Sequence, residues 1–295
     1  MKKMMIFAAA ALLVACGENN KDYDATGTFE ATEITVSAEQ TGKLMQFGIT
    51  EGDRIEEGRQ IGLIDTVQLY LKARQMGATK LVYSAQKPET QKQIAATRQQ
   101  IIKAQQEVNR YTQLVKEDAA NRKVLDDAKS QLQVLERQLE AQISSLNTST
   151  KSLSAQMGTV DVEKLQIIDQ LQKCHVYSPI SGTVLEKYAE QGEFATIGKP
   201  LFKIADTDNM YLRAYITSDQ LKSVKLGQQV KVYSDYGNGN QKEYRGTVTW
   251  ISSKSEFTPK TILTDDERAD LVYAIKVAVK NDGYIKIGMY GEVKL

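Results

Sequence analysis

A glycine-punctuated segment occurs twice in this chain, and a constant spacing of 140 residues relates the two copies. The glycines that correspond are Gly42 and Gly182, Gly52 and Gly192, and Gly58 and Gly198. Short β-branched runs between them predict strands joined by tight turns, because glycine enters positive φ without steric cost. One copy is too short to close a core. The repeat therefore predicts a small β-sandwich built from two pseudo-symmetric halves, with these six residues as turn glycines.

The segment between the copies, residues 66–174, has the composition of a long exposed coiled coil. It contains one proline and two glycines and is rich in Gln, Lys, Ala, Glu and Leu. Apolar residues recur at steps of three and four on both sides of its midpoint, at Leu125, Ala128, Leu132, Leu135 and Leu139 and at Ile94, Ile101, Ala104, Val108, Tyr111 and Val115. Sustained heptads on both sides of a turn predict two helices packed against each other.

The turn of this hairpin is predicted at residues 117–121, with Asn121 as the N-cap of the second helix. Two unbroken legs of roughly 50 residues would each extend about 75 Å. Pro88 predicts an interruption in the first leg, because proline removes a helical hydrogen bond. Ser, Thr and Asn residues in 144–152 have low helix propensity, so we predict a weak point in the second leg as well.

The chain changes character again after residue 206, where strand and turn patterns alternate to the C-terminus. Apolar and aromatic runs such as 210–216, 246–251 and 271–279 predict about six strands, with a short helix at 219–224. A set of short strands of this kind is typical of a small antiparallel barrel.

The N-terminus has the features of a secretory signal. Lys2 and Lys3 precede an apolar run from Met4 to Val14, which is shorter than the roughly 20 residues that span a bilayer as a helix. Small residues before Cys16 resemble a bacterial lipobox, which predicts a signal peptide at 1–15, lipidation of Cys16 and a polar tether at 16–28. The alternative is a plain signal peptide with an incidental cysteine. If Cys16 is lipidated, Cys174 is the remaining thiol of the chain, and we interpret it as a small buried residue.

Composition argues against several classes of function. The 38 basic and 37 acidic residues give a formal net charge of +1, which does not suggest a nucleic-acid partner. The single histidine, His175, is interpreted as a strand residue rather than a general base. The sequence has no phosphate-binding glycine loop and no metal-ligand spacing, so we predict no enzymatic activity, no cofactor and no metal site.

The order of these parts resembles that of the HlyD-type membrane fusion proteins, the periplasmic adaptors of bacterial efflux pumps. The most specific similarity is the segment Ser178-Pro179-Ile180-Ser181-Gly182-Thr183-Val184, which resembles the opening of a second lipoyl-like half. In the barrel, residues 211–215, 256–261 and 270–273 are similar to the subgroup that serves ABC-2-type exporters, and residues 288–293 are similar to the closing strand.

The resemblance implies an elongated α+β fold. Its predicted parts are a lipoyl-like domain from 29–65 and 175–206, an α-helical coiled-coil hairpin at 66–174 and a β-barrel domain at 207–295. It also implies a lipoprotein in the periplasm of a Gram-negative bacterium, assembled as a homo-oligomer of six copies. The implied partners are an inner-membrane ABC-type transporter and a TolC-type outer-membrane channel.

The resemblance further implies a channel-docking motif at the hairpin tip. Arg110 and Leu114 match the family's pattern, whereas Asn121 stands where the family usually has Ser or Thr. Asparagine can still hydrogen-bond to a channel backbone.

Three other functions compete with this interpretation. An adaptor of a proton-driven RND pump is the nearest, although such adaptors usually carry a further membrane-proximal domain. A biotinyl or lipoyl carrier subunit would need an acceptor lysine where this chain has its coiled coil. A structural envelope lipoprotein would use the coil only as a spacer.

Overall fold

The computed structural model describes residues 23–237, 240–257 and 271–295. The predicted signal peptide and the lipidation site at Cys16 lie outside the described residues, as do residues 258–261 and Asp270 of the barrel motifs. Twelve strands and three α-helices are present in the described part of the chain. They are β1 (Ala25–Ser37), β2 (Gly42–Phe47), β3 (Arg54–Ile55), β4 (Gln60–Ile64), α1 (Val67–Ala85), α2 (Thr90–Lys116), α3 (Arg122–Lys173), β5 (His175–Tyr177), β6 (Gly182–Lys187), β7 (Phe194–Ala195), β8 (Pro200–Thr217), β9 (Gln229–Asp235), β10 (Gln241–Phe257), β11 (Leu271–Lys280) and β12 (Tyr290–Lys294).

These elements confirm the α+β fold class: a split β-sandwich, a helical hairpin and a β-barrel. They divide into two compact units. One contains the chain up to Ala38 together with Leu44–Gly62 and Val176–Leu295, and the other contains Glu39–Lys43 and Leu63–His175. Among the described residues, no helix combines the length and the hydropathy that a membrane crossing requires.

The two glycine-containing halves bind each other through a symmetric set of backbone hydrogen bonds. Eight of these bonds form four pairs, in which the two bonds join residues related by a shift of 140. The four pairs have N···O distances of 2.8–3.0 Å and comprise Gly52 N to Val184 O with Gly192 N to Leu44 O, Val184 N to Asp53 O with Leu44 N to Glu193 O, Gly58 N to Ser178 O with Gly198 N to Ala38 O, and Ser178 N to Arg59 O with Ala38 N to Lys199 O. The sequence repeat is thus a repeat of backbone pairing, in which each half supplies the hydrogen bonds that the other half needs.

The six glycines have two different roles. Gly52, Gly58, Gly192 and Gly198 have positive φ between 76° and 95°, as the turn interpretation requires. Gly42 and Gly182 instead begin strands β2 and β6. A Cβ at Gly182 would lie 2.2 Å from the backbone oxygen of Ala205, and a Cβ at Gly42 would lie 2.8 Å from Ile64 Cγ2. These two residues are therefore glycine because of close approach to a neighbour and not because of turn geometry.

Six strands close into the barrel, in the order β1-β12-β9-β10-β11-β8, and pairing of β1 with β8 completes the circle. Strands β1, β8, β9, β11 and β12 each contribute fully buried side chains to the core of the described barrel. These include Phe29, Leu212, Ile216, Val232, Ile275 and Val293. The predicted short helix is present as a single 3-10 turn at Gln220–Lys222.

The boundary between sandwich and barrel differs from the predicted one. Strand β1 starts at Ala25, inside the predicted tether, and its first residues pair with β12 of the barrel. Phe29, expected in the lipoyl-like domain, lies in the barrel core. The register between β1 and β8 shifts between Ala31 and Thr32. This bulge marks the point within β1 where the strand passes from the barrel to the sandwich. The sequence pattern could not show that an N-terminal strand completes a C-terminal barrel.

The hairpin is interrupted in its first leg only. Helix α1 ends at Ala85 and α2 begins at Thr90, which confirms the break predicted from Pro88. The prediction of a weak point at 144–152 is wrong, because α3 is continuous from Arg122 to Lys173. Within it, the Thr148 hydroxyl donates to Ser144 O at 3.0 Å, and Leu146 and Leu153 remain half-buried. A hydroxyl bonded to the carbonyl four residues back favours a slight bend, so the packed leucines are what keep the helix closed here.

Candidate functional site at the hairpin tip and on the barrel face

The hairpin tip is a short turn with well-defined backbone geometry. Helix α2 closes through Ala119 N–H, which donates to Leu114 O at 2.8 Å, and Asp118 has a positive φ of 52°. The side chain of Asn121 then caps α3 by accepting from Lys123 N at 3.0 Å. The predicted turn and the predicted N-cap are both confirmed.

Two of the three candidate docking residues lie one helical turn apart, and the third lies across the turn. Arg110 is exposed, Leu114 is half-buried, and Asn121 is exposed at the start of α3. The guanidinium of Arg110 donates to Glu107 and, at 3.1 Å, to the hydroxyl of Tyr111, and it lies 4.9 Å from the Tyr111 ring centroid. Its contacts in the free hairpin are therefore made within α2 and not with Asn121. They hold a cation at the surface within two turns of the tip.

Asn121 caps the helix through one of the two polar atoms of its amide. Its Oδ1 is occupied by the helix cap, whereas the Nδ2 group of the same amide carries two N–H donors. A side chain fixed as a cap has lost its rotational freedom already, so a further hydrogen bond through Nδ2 would cost less ordering entropy.

The barrel carries the second candidate surface, on the outer side of β8. Tyr211, Arg213 and Tyr215 point outward, and the alternate residues Leu212 and Ala214 are fully buried. This alternation follows from the period of two in a strand. The motif at 211–215 therefore presents two phenols and a guanidinium side by side.

A partner from the other motif completes this surface. Arg213 Nη2 donates to Glu256 Oε1 at 2.9 Å, so the two barrel segments singled out in the sequence are in direct contact. Burial acts to lower the pKa of Arg213, but Tyr215, Glu256 and Glu30 raise it above its ordinary value. The guanidinium is a permanent cation held in a fixed orientation.

Beside this pair lies a surface depression of about 510 Å³ that the sequence analysis did not predict. Its lining residues are Thr32, Tyr211, Arg213, Trp250 and Lys276. Lys276 Nζ lies 5.9 Å from the Tyr211 ring centroid and 3.8 Å from Glu30 Oε2. Trp250 reaches this face because the register of β10 against β11 shifts after Val248, which breaks the strand alternation. A bulge of this kind leaves no signal in the sequence pattern.

Cys174 and His175 are the two remaining residues that the sequence analysis singled out. Cys174 is buried at the end of α3, and burial, followed by the charge of Asp65, raises the pKa of its thiol. A raised pKa disfavours the reactive thiolate. His175 is the first residue of β5, as predicted. Among the described residues, no group of three or more His, Cys, Asp and Glu side chains is placed to hold a metal ion.

A split β-sandwich with a helical hairpin between its halves, followed by a small barrel, defines the adaptor class of membrane fusion proteins. The model of the RND membrane fusion protein barrel-sandwich hybrid domain matches residues 32–207. The chain belongs to this family, and its resemblance to HlyD-type adaptors is confirmed.

Two curated relatives match most of this chain and most of their own length. A UPF0194 membrane protein of Yersinia pseudotuberculosis is 26% identical over 98% of this chain and 96% of its own length. A UPF0194 membrane protein of Acidithiobacillus ferridurans is 25% identical over 89% of this chain and 83% of its own. The crystal structure of MacA from Actinobacillus actinomycetemcomitans has a TM-score of 0.56 at 20% identity, covering 91% of this chain and 76% of MacA. That likeness concerns the fold alone.

Proposed function

We propose that this chain is the periplasmic adaptor of a tripartite exporter, linking an inner-membrane ABC-type transporter to a TolC-type outer-membrane channel. The observation that carries the proposal is the hairpin tip, where a capped turn joins the helix that contains Arg110 and Leu114 to the helix that Asn121 caps. The adaptor has no chemistry of its own. It couples the conformational cycle of the transporter to the exit channel, as packed elements transmit discrete rearrangements.

The barrel face supports the ABC-type partner. Tyr, Trp and Arg are the residues most enriched at the energetic centres of protein interfaces, and this face carries Tyr211, Arg213, Tyr215 and Trp250. Its two motifs resemble the subgroup that serves ABC-2-type exporters, and Arg213 and Glu256 connect them. We assign this face to the transporter.

Lipidation of Cys16 would fix the chain to a membrane. A single acyl chain gives weak binding, whereas the several chains of a bacterial lipoprotein give stable anchoring. We expect Cys16→Ser to release the protein into the soluble periplasmic fraction. Retention of the Cys16→Ser variant in washed membranes would show that another feature anchors the chain.

Site-specific photocrosslinking in cells tests the two assigned contacts. We expect a crosslinker at Leu114 to capture an outer-membrane channel, and one at Tyr215 to capture an ABC permease. Ile102, exposed on α2 away from the tip, is the control for Leu114, and Tyr233, on the outer face of β9, is the control for Tyr215. Capture at neither assigned site would contradict the adaptor function and favour a structural envelope lipoprotein.

An adaptor for an RND pump is the second candidate. The family whose model matches residues 32–207 is described by its RND members, and this observation favours it. Capture of an RND pump by the crosslinker at Tyr215, with the channel still captured at Leu114, would establish this alternative.

A further inference from the structure

Two cations lie directly opposite each other on the outer face of the barrel. Lys276 of β11 pairs with Arg213 of β8, and Trp250 of β10 pairs with Lys276, so the three residues are neighbours on adjacent strands. All three line the surface depression of about 510 Å³. Directly paired residues have Cβ atoms about 5 Å apart, and like charges at this distance destabilise a sheet. The barrel therefore carries a charge conflict inside the depression.

Glu256 and Glu30 compensate these two cations only in part. Glu256 accepts a hydrogen bond from Nη2 of Arg213, and Glu30 Oε2 lies 3.8 Å from Lys276 Nζ, which is too long for a hydrogen bond. Arg213 Nε is buried, and among the described residues it has no acceptor. A buried donor without an acceptor costs free energy. A further acceptor at this place would therefore stabilise the face.

The lining of the depression suits an acid that has an apolar neighbour. Of its five lining residues, Arg213 and Lys276 are cations, Tyr211 and Trp250 are aromatic, and none is acidic. A carboxylate between the two cations relieves their repulsion, and the forked guanidinium can bind it through two donors. The Trp250 side chain is 41% exposed, so an apolar group next to the carboxylate can pack on its ring.

We propose that the depression binds an acidic side chain of the transporter, Asp or Glu, and that an apolar neighbour of this residue packs on Trp250. The volume lies within the range of about 300–1,000 Å³ that is typical of ligand pockets. A transporter segment with Lys or Arg at this position is excluded by repulsion from both cations. This inference rests on the proposed adaptor function, and it names the chemistry of the transporter segment that the barrel recognises.

Small molecules test the chemistry of the depression in purified full-length protein. The fluorescence of Trp250, the single tryptophan, reports binding. Phenylpropionate combines a carboxylate with a phenyl ring, phenylpropanamide is neutral and similar in shape, and phenylpropylamine is cationic. We expect phenylpropionate to bind at least about tenfold more tightly than the amide, because a charged acceptor gives stronger hydrogen bonds. The amine should bind more weakly than either. Equal affinities for phenylpropionate and the amide would overturn the proposal.

Two lysines of the outer barrel face provide a matched pair of variants. Lys276 lies near Glu30 and Lys231 lies near Glu243, but Lys231 is on β9 and does not line the depression. Lys276→Met should weaken phenylpropionate binding about tenfold, and Lys231→Met should change it less than about twofold. Arg213→Lys keeps the charge but loses the forked donors, so it should also weaken binding about tenfold.

Urea unfolding followed by far-ultraviolet circular dichroism establishes that each variant is folded. Unchanged phenylpropionate binding in folded Lys276→Met and Arg213→Lys would overturn the proposal, because both cations are required to hold the acid.

Charge reversal tests the contact in cells. In the variant Lys276→Glu, a photocrosslinker at Tyr215 should capture the transporter at least about tenfold less, whereas Lys231→Glu should reduce capture less than about twofold. Capture of the channel by a crosslinker at Leu114 should be unchanged in both variants, which shows that the protein is folded and placed correctly. Equal capture of the transporter by the two variants would contradict the proposed contact.

A photocrosslinker at Thr32 identifies the segment that occupies the depression. Thr32 is exposed and belongs to the lining, so its replacement leaves both cations in place. Mass spectrometry of the captured peptide should find a transporter segment in which Asp or Glu adjoins an apolar residue. A captured segment without an acidic residue would overturn the proposal.

Failure of this inference is distinguishable from failure of the adaptor function. If the crosslinker at Tyr215 captures a transporter and Lys276→Glu leaves this capture unchanged, the acidic segment alone is wrong and the adaptor function stands. If phenylpropionate binds as expected but no transporter is captured at Tyr215 or Thr32, the adaptor function is wrong. The occupant is then a small organic acid and not a transporter segment.

Discussion

Arg213 Nη2 donates to Glu256 Oε1 at 2.9 Å, although 43 residues separate them in the sequence. The contact ties β8 to the end of β10 across β11, on the face that we assign to the transporter. Arg213 holds this position beside Tyr215, and Lys276 lies next to Tyr211 on the same face. The arrangement of the barrel face depends on pairs of this kind and so can be tested by removing them.

A double-mutant cycle on Arg213→Met and Glu256→Gln should give a coupling energy of about 0.5–1 kcal/mol. The value is modest because both side chains remain about one third exposed, at 31% and 36%. The fluorescence of Trp250, the single tryptophan, reports unfolding of the barrel in urea. Lys276 and Glu30, 3.8 Å apart on the same face, provide the control cycle, which should give a smaller coupling. Equal couplings would mean that the Arg213 geometry contributes nothing specific.

Gly182→Ala should destabilise the protein by about 3 kcal/mol, whereas Gly42→Ala, at the equivalent position, should cost about 1 kcal/mol. The new methyl at Gly182 meets the backbone of Ala205, which cannot move without breaking the strand pairing, whereas the methyl at Gly42 meets a side-chain methyl group of Ile64, so that no backbone atom has to move. Scanning calorimetry measures both. Gly198→Ala, at a φ of 84° in open space, isolates the cost of backbone conformation. A Gly182→Ala variant that melts like Gly42→Ala would contradict the close approach.

Thr97→Val should destabilise the hairpin by about 1 kcal/mol, although it removes only a hydroxyl. Thr97 is 5% exposed, and its Oγ1 donates to Gln142 Oε1 at 2.9 Å across the seam, so the variant leaves a half-buried amide without its donor. Adding Gln142→Leu should recover most of the loss, because both polar groups are then gone. Thermal melts followed by far-ultraviolet circular dichroism give the cycle. Thr148→Val, at an exposed site on α3, is the control and should change the melting temperature little.

Acid should weaken the barrel partly through Asp282. Its pKa lies below the ordinary value of 3.8, first because Lys242 donates to the carboxylate and then because Tyr284 N–H does so. A carboxyl whose pKa is lowered by folding stabilises the protein above about pH 4 and loses this contribution as the pH falls through the folded-state pKa. Asp282→Asn should therefore be less stable than the wild type at pH 6 and should lose less stability between pH 6 and pH 3.

Urea midpoints from Trp250 fluorescence at the two pH values test this expectation. Asp219→Asn removes an exposed carboxylate from the 3-10 turn region of the same barrel and serves as the control variant. An Asp282→Asn variant that loses as much stability in acid as the wild type would show that Lys242 does not stabilise this carboxylate.

Local features of the chain were predictable because short spans encode them. The break at Pro88 follows from a missing N–H donor. The cap at Asn121 follows from a side chain that reaches the backbone N–H of Lys123, two residues further along the chain. The glycine spacing likewise predicted two equivalent halves, and the hydrogen bonds of Gly52 and Gly192 are equivalent.

The weak point predicted at 144–152 shows where local propensity fails. Leu146 and Leu153 are half-buried along the seam, although the Thr148 hydroxyl bonds to Ser144 O in a way that favours bending. Tertiary packing thus outweighs the low intrinsic preference of a few Ser, Thr and Asn residues.

The sequence by itself determined the kinds of element and their order, since periodicity, glycine positions and breakers act within a few residues. The class of protein followed from the resemblance of its motifs to a known family. Only the tertiary structure decided that β1 completes the barrel, that Gly182 must clear the backbone of Ala205, and that Trp250 joins the face of Arg213. These outcomes depend on which strand pairs with which and in what register. Strand pairing joins residues that are far apart in the chain, so no short stretch of sequence specifies it.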